Sequence, residues 1–578
     1  MPTRSRFESL VSIASVTNRA DSDFDHVVAG DPDSPTIVAI DDSASIDGDD
    51  DDTTVDRAEL RIDRWWGRML STPGRMRLWY WGGPLAVTLL AAVLRLWDLG
   101  RPKALVFDET YYVKDAWSLI HLGYEGSWPS DADPRFAAGQ VDIFTSTASY
   151  VVHPPLGKWL IGLGMEAFGN GENSAGWRIS TAIAGIIAVF VIAMIARALF
   201  NSTLLATIAG GLMAIDGNAI VMSRVSLLDN FVMFFALLGF WAILLDRKQS
   251  AARLDRWISA RTAAGRPVDW GPAIWYRPWL FTAATMFGLA TAVKWNGLYF
   301  LAGFAVYTLI VDAVARRRAG VAFWGTGTLV KQAPASFLLT VPIAVAVYLA
   351  SWTGWFVTNG GYYRHWADVP GNAITGAFSW IPHTIQSFWY YQSAVYNFHL
   401  NEHAAHPYAA NPLGWLFLIR PTSMYYVGST FGQLGCTSSG GCSQAITEIA
   451  NPLIWWAAVA AAFYLLYRLI RFRDWKAGLI LSGIAVGYLP WLMYLDRTVF
   501  QFYTIAFEPY LILAITAVIG LIIGDRLDPA WRRLSGIRVV TIFLVCAVVL
   551  SAFWYPMWTA IQIPQWFTSL HYWFRSWI

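Results

Sequence analysis

The sequence predicts an all-α polytopic membrane protein with about eleven transmembrane helices and two long extracytoplasmic loops. Three observations carry this expectation. Of the 578 residues, 56% are hydrophobic and only 14% charged, where ordinary soluble domains carry about 25% charged residues. The mean hydropathy is +0.40, and the apolar runs approach the roughly 20 residues that cross a bilayer. The chain also holds 32 Trp, a residue whose amphipathic ring suits the membrane–water interface. This composition argues against a soluble enzyme. A formal net charge of +2, with no basic stretch interleaved with aromatics, gives nucleic acid no footprint.

Residues 1–75 are polar and include the run DDSASIDGDDDDTTVD. Such a segment has too little apolar surface to fold, and it is expected to be a disordered acidic cytoplasmic tail. No apolar signal-peptide core lies near Met1, so the first span is expected to be an uncleaved anchor. Residues 76–578 then form one transmembrane domain. Apolar runs place spans near 78–98, 178–199, 203–221, 226–245, 277–293, 297–314, 333–356, 452–470, 476–495, 502–524 and 538–557. Lys and Arg gather at 247–266, 315–318, 467–476 and 525–538, which fall on one side if the spans alternate. The positive-inside rule makes that side cytoplasmic, with the N-terminus inside and the C-terminus outside. The segments 99–177 and 357–451 are then the long outer loops. No internal repeat of the kind many transporters carry is visible. The polar inventory crowds onto one face, where chemistry is to be sought.

The first outer loop opens with LVFDETYYVKDAW, which puts Asp108 and Glu109 just beyond the first span. Two adjacent carboxylates are not both comfortably ionised, so one can act as general base while the other orients it. A solvated acidic pair, or a helix N-cap with a first-turn acid, fits the same two residues. Farther on, YVVHPPLGKWLIGLG places His153 and Lys158 around tandem prolines. The following apolar run reads as an interfacial helix, with the two cations meeting a lipid phosphate or simply snorkelling and packing. Arg95, Arg178, Arg224, Asp229 and Arg497 stand in or at the ends of spans, where an ionisable group points to function. Each Arg presents a planar fork that suits phosphate, while an interfacial anchor or internal ion pair remains open, above all for Arg224 with Asp229. The turn KWNGL, with Lys294 and Asn296, falls on the same face.

The second outer loop contains NEHAAHPYAANPLGWLFLIRP. The spacing of His403 and His406 permits a shared metal, but no carboxylate–His pattern completes a site. Its aromatics suit a sugar or peptide surface, or lid packing. Cys436 and Cys442 lie close together in GCTSSGGCSQ and are expected to pair if that loop faces an oxidising compartment. Cys546, in an apolar run, reads as a small buried hydrophobe.

FDET followed by VVHPPLGK, with one Arg upstream of the acids and another opening the second span, resembles the protein O-mannosyltransferase family. That family carries an FDE motif and then HPPLGK in its first outer loop. SRVSLLDNF, VKWNGLY and HPYAANPLGW are similar to its SRxxLLD, KWxGxF and HPxxSxPxxW patterns, so the likeness runs from about residue 90 to 430. The β-trefoil insertion of the eukaryotic members has no counterpart here, which puts the chain with the bacterial branch.

The resemblance implies a GT-C glycosyltransferase that moves mannose from polyprenyl-phosphate mannose to Ser or Thr hydroxyls of exported proteins at the cell membrane. Asp108 would be the catalytic base and Glu109 would orient the site or the acceptor. A single displacement implies inversion. Arg95 and Arg178 match family arginines and would hold the site or the donor phosphate, with His153, Lys158 and His406 as further donors. A lipid monophosphate can be served by Arg and Lys alone, so no obligatory metal or other cofactor is expected. Expected partners are the lipid donor, secreted polypeptides, membrane lipid and the protein-export translocon. Two other readings stay open: a related lipid-phosphate-sugar transferase acting on glycan or lipid, and a lipid-linked sugar transporter.

Overall fold

The computed structural model describes residues 61–578. The acidic run expected as a disordered tail lies outside these residues. The last part of that expected tail folds instead. Helix α1 (Arg61–Met69) packs Trp66 at a tilt against Trp79 with ring centroids 4.8 Å apart, and Asp63 accepts from Arg533 Nη2 at 3.1 Å. Helix α2 (Pro73–Leu96) begins with Pro at its first turn and the Thr72 hydroxyl accepting from Arg75 N at 3.3 Å, both strong start signals.

Numbering helices of eight residues or more, α3 (Glu109–Leu122) and α4 (Leu156–Ala167) occupy the first long loop. They are followed by α5 (Ser174–Phe200), α6 (Thr203–Ile215), α7 (Gly217–Arg224), α8 (Asp229–Ala263), α9 (Pro278–Val293) and α10 (Gly297–Arg318). After α11 (Trp324–Ser351) comes α12 (His383–Asn401) in the second long loop. The bundle closes with α13 (Pro452–Phe472), α14 (Trp475–Met493), α15 (Glu508–Ile523) and α16 (Ala530–Trp558). Eight of these helices are long and apolar enough to cross a membrane, α6 and α7 form a ninth, bent candidate, and α9 and α15 are shorter apolar helices. Each of the eleven apolar segments read from the sequence coincides with one of them.

The 60° bend between α6 and α7 has a local cause. Asp216 leaves helical geometry, its Oδ1 accepting from Asn218 N at 2.9 Å and its Oδ2 from Asn451 N at 3.1 Å. The next residue is Gly217 because a Cβ there would stand 2.2 Å from the Ile449 carbonyl oxygen and the Trp558 ring. Central helices bury small residues, as α5 does with Gly185, Ala188 and Ala196, which lets backbones approach where lipid supplies no hydrophobic drive. Peripheral helices turn apolar side chains outward: Leu85 and Leu89 on α2, Ile542 and Val549 on α16. At one end of the bundle, buried Arg277 joins Asp246 and Asp312, tying α8, α9 and α10. The other end carries the two long loops.

The helical expectation omits one element. An antiparallel sheet of order β1–β2–β3 packs on the loop end, formed by Thr422–Ser429, Cys442–Glu448 and Ile563–Pro564. Thr422 pairs with Glu448 and Ser429 with Cys442, with a bulge between Ser423 and Tyr425. The Cys436–Cys442 disulfide closes this hairpin, as expected. Cys546 is exposed rather than buried, because α16 lies at the bundle's periphery.

Candidate active site

The FDET segment leaves α2 and turns through a left-handed residue, Phe107 (φ +51°), immediately before Asp108. A bulky residue in that conformation costs energy and persists only where its surroundings enforce it. Asp108 occupies the N-cap position of α3, yet its side chain makes no capping bond. The carboxylate is left to face Tyr112, whose hydroxyl donates to Oδ2 at 3.4 Å. Close by, Lys294 Nζ donates to both oxygens of Asp229 at 3.0 Å and lies 4.1 Å from the centre of the Tyr503 ring. Burial pushes the Asp108 carboxyl up to about 6, with Lys294 pulling it down and Asp229 adding to the rise. A carboxyl in that range is ionised at neutral pH and basic enough to take a proton.

Glu109 does different work from its neighbour. Both it and Arg178 are fully buried. Arg178 Nε and Nη2 donate to its two oxygens at 2.8 Å each, and the Val106 and Ser226 amides donate to the same oxygens at 2.8 Å. Arg178 turns its remaining N–H groups to the carbonyls of Leu99, Pro102 and Ala104 at 3.3, 3.0 and 2.9 Å. Glu109 thus fixes the loop that carries Asp108, and both of its oxygens are engaged in doing so. Arg178 has no donor left for a phosphate.

Arg95, the other arginine expected at the phosphate, is likewise committed. It donates to Ser223 Oγ at 3.1 Å and to the Ala214 and Met213 carbonyls at 3.0 and 3.1 Å. Arg224 binds four carbonyls at the end of α2, from Leu94, Arg95, Trp97 and Asp98, and makes no pair with Asp229. Helix ends present unsatisfied carbonyls, and a buried guanidinium satisfies several at once. Lys158 pairs with buried Glu125 and donates to the His153 carbonyl at 3.2 Å, so it too is occupied inside the protein. Sequence reasoning found these cations but could not tell a carbonyl partner from a phosphate.

The cation left open is Arg497, which forms no salt bridge among the described residues. Its Nη2 donates to His399 Nδ1 at 3.0 Å, and His399 Nε2 donates to the Val152 carbonyl at 2.9 Å. Those two bonds define a neutral imidazole. Burial pushes His399 down to about 4, and the charges of Arg497 and Lys294 act in the same direction. His153 stacks on it at 5.3 Å, is also held far below the ordinary histidine value by burial, and leaves its Nδ1 without a partner. The sequence singled out Arg497 only as a charge at a span end. Its signal was its place in LDRTVFQFY, in the short connection between α14 and α15 on the loop side.

Of the expected donors, His406 also remains available. Its ring meets Phe107 and Phe500 edge-on at 5.6 and 4.9 Å, beside Asp108 in the chain, and its Nδ1 accepts from Tyr408 N at 3.1 Å. That bond puts the proton on Nε2. Burial lowers the pKa, keeping the ring neutral at pH 7. His403 instead donates through Nδ1 to the Asp496 carbonyl at 2.9 Å. Among the described residues the two histidines gather no third metal-type ligand.

The two kinds of arginine separate experimentally. Arg178→Ala strands Glu109 as a buried, unpaired carboxylate and is expected to cost about 3–5 kcal/mol, read as a lowered unfolding midpoint or loss of folded yield in detergent. Arg497→Gln removes a cation with no ion-pair partner and is expected to leave that midpoint within a few degrees of wild type.

Residues 85–265 match the family model described as dolichyl-phosphate-mannose-protein mannosyltransferase. The chain is 34% identical over 507 residues to a polyprenol-phosphate-mannose–protein mannosyltransferase of Mycolicibacterium smegmatis, covering 86% of this chain and 93% of that protein. A protein of the same name from Corynebacterium glutamicum is 32% identical over 480 residues, covering 82% and 88%. The fold is shared with the Saccharomyces cerevisiae Pmt1–Pmt2 complex bound to its sugar donor, at a TM-score of 0.64 and 14% identity, covering 86% of this chain and 92% of that one. This is the GT-C architecture. With a committed acidic loop, its arginine lock and near full-length likeness to these proteins, the chain belongs to the polyprenol-phosphate-mannose–protein mannosyltransferase family of glycosyltransferases.

Proposed function

We propose that this protein transfers mannose from polyprenyl-phosphate mannose to the hydroxyl of Ser or Thr in exported polypeptides, with inversion, on the extracytoplasmic face of the cell membrane. The observation that carries the proposal is an available carboxylate, Asp108, set near the Lys294–Asp229 pair and held by a loop that Glu109 and Arg178 lock. The clustering of basic segments at the opposite end supports eleven crossings with the N-terminus inside and the site outside. Acceptors would then meet the site as extended chains leaving the export translocon.

In this reading Asp108 takes the proton of the acceptor hydroxyl while its oxygen attacks the anomeric carbon of mannose. The bond from that carbon to the phosphate oxygen breaks, and polyprenyl phosphate leaves with the electron pair. One displacement with one base inverts the anomeric configuration. The leaving group gains negative charge as the bond breaks, and preorganised donors aimed at it lower the barrier. Arg497, whose guanidinium pairs with no carboxylate among the described residues, and Nε2–H of His406 are the groups assigned to it. Neutral His399 holds the Arg497 fork by accepting a hydrogen bond from Nη2 at Nδ1. Arg95, Arg178 and Lys158 act only through the scaffold, and the reading calls for no metal.

With purified protein in lipid, polyprenyl-phosphate mannose and a Thr-rich peptide, Asp108→Asn is expected to lower peptide labelling by about 10²–10⁴-fold while donor binding persists. Equal labelling by both proteins overturns the base assignment. Arg497→Gln is expected to lower kcat/KM by about 10- to 100-fold, the loss of a charged hydrogen bond, chiefly through the donor. The rate of wild type should be flat above about pH 6 and fall about tenfold per unit below it, because the base must be ionised and its carboxyl is raised to about 6.

A further inference from the structure

Helix α12 presents an unusual face. From Val369 to Asn401 the sequence has no Asp, Glu, Lys or Arg, although the segment lies in a long loop outside the bundle. Within α12, Ile385, Trp389, Tyr396 and Leu400 are all exposed, Trp389 to 74%. At about 100° per residue these four fall within about 60° of arc, one apolar stripe along the helix. Trp380, 75% exposed, and Phe378 lie just before it. Water is a poor solvent for such a stripe, and exposed apolar patches of this kind mark an interaction surface.

The buried flank of α12 beside the stripe shows where the stripe stands. Phe388 and Tyr391 pack on Trp352 at 5.3 and 5.5 Å, directly after the end of α11. The Tyr348 hydroxyl, one turn inside that end, donates to Gln392 at 2.6 Å. Helix α12 is therefore fixed across the last turn of a span. The outer surface of that span is itself apolar and exposed, through Phe337, Val345 and Leu349, and the α12 stripe continues it at the depth where the span ends. Trp and Tyr are the residues that settle at this level, ring in the acyl boundary and polar edge toward headgroups.

We infer that α12 lies on the bilayer, with the Ile385–Trp389–Tyr396–Leu400 stripe and Trp380 seated in the interfacial region of the leaflet on the loop side. The absence of charge distinguishes this from helices that bind anionic lipid through Lys and Arg, so the contact is apolar and aromatic and independent of headgroup charge. His399, at the C-terminal end of the same helix, holds Arg497. Seating α12 on lipid consequently sets the height of that guanidinium at the headgroup level. The inference stands whatever reaction the site performs.

The test replaces Cys546 with Ala, leaving Cys436 and Cys442 in their disulfide, and places a nitroxide at Trp389→Cys, Tyr396→Cys or Ile385→Cys in separate proteins. Asn401→Cys, exposed about 100° or more around the helix from the stripe, is the water-side control. In phosphatidylcholine liposomes, power saturation is expected to give the three stripe positions at least severalfold more collision with oxygen than with nickel-EDDA, and the control the reverse. Repeating the measurement with 30% phosphatidylglycerol should change nothing. Nickel-EDDA access at the stripe equal to that at the control overturns the inference in favour of a water-facing surface. Exclusion of both reagents overturns it in favour of a protein partner or a second copy. Three stripe positions keep the result readable if one variant fails to fold.

Discussion

The buried bidentate pair between Glu109 and Arg178 is the joint on which the site depends. It unites the first loop with α5, and through the Ser226 amide it also fixes the connection that leads into α8 and Asp229. Two ions so deeply buried are costly in isolation, and the cost is met by filling nearly every donor and acceptor with backbone partners. The result is rigid. Asp108, one residue away, inherits that rigidity without sharing the pairing, and its carboxylate stays available while its neighbour's does not.

The same logic separates the cations. Arg95, Arg178 and Arg224 each satisfy carbonyls that helix ends or irregular chain would otherwise leave bare in a low-dielectric interior. Their guanidinium groups are turned to partners inside the protein, and Arg178 has every N–H engaged. Arg497 is held on one side by a neutral imidazole and, among the described residues, keeps a net charge with no carboxylate paired to it. Neutrality at His399 matters here: a protonated ring would offer a donor where Arg497 needs an acceptor, and would repel it. Burial and the neighbouring positive charges both hold that ring neutral.

Sites of this kind assemble from short connections rather than from a single motif. Phe107–Glu109, Ser226–Asp229, Lys294, His399 with His406, and Arg497 come from five stretches far apart in the chain. Each lies where an apolar helix ends or a long loop begins, on one end of the bundle. An amphiphilic donor with a buried tail and a phosphate at the interface suits that placement. So does an uncharged α12 resting at the level where the spans stop.

The sequence by itself determined the membrane architecture, because apolar runs near bilayer length leave the backbone few alternatives to helix, and the family, because FDET, HPPLGK, SRVSLLDN and KWNG recur in order. It also singled out Asp108 as a candidate, and it placed the Cys436–Cys442 pair through proximity in a flexible stretch. It did not determine which charged groups are free. An arginine at a span end looks the same whether it caps carbonyls or awaits a phosphate, and Asp108 and Glu109 look alike as neighbours. Only the tertiary structure divides them, since saturation of a guanidinium or a carboxylate is a property of partners more than sixty residues distant, as with Glu109 and Arg178 or His399 and Arg497. The sheet over residues 422–448 and 563–564 escaped for a related reason: its strands pair across a loop of mixed polarity and with the far end of the chain, and that pairing has no local period to read.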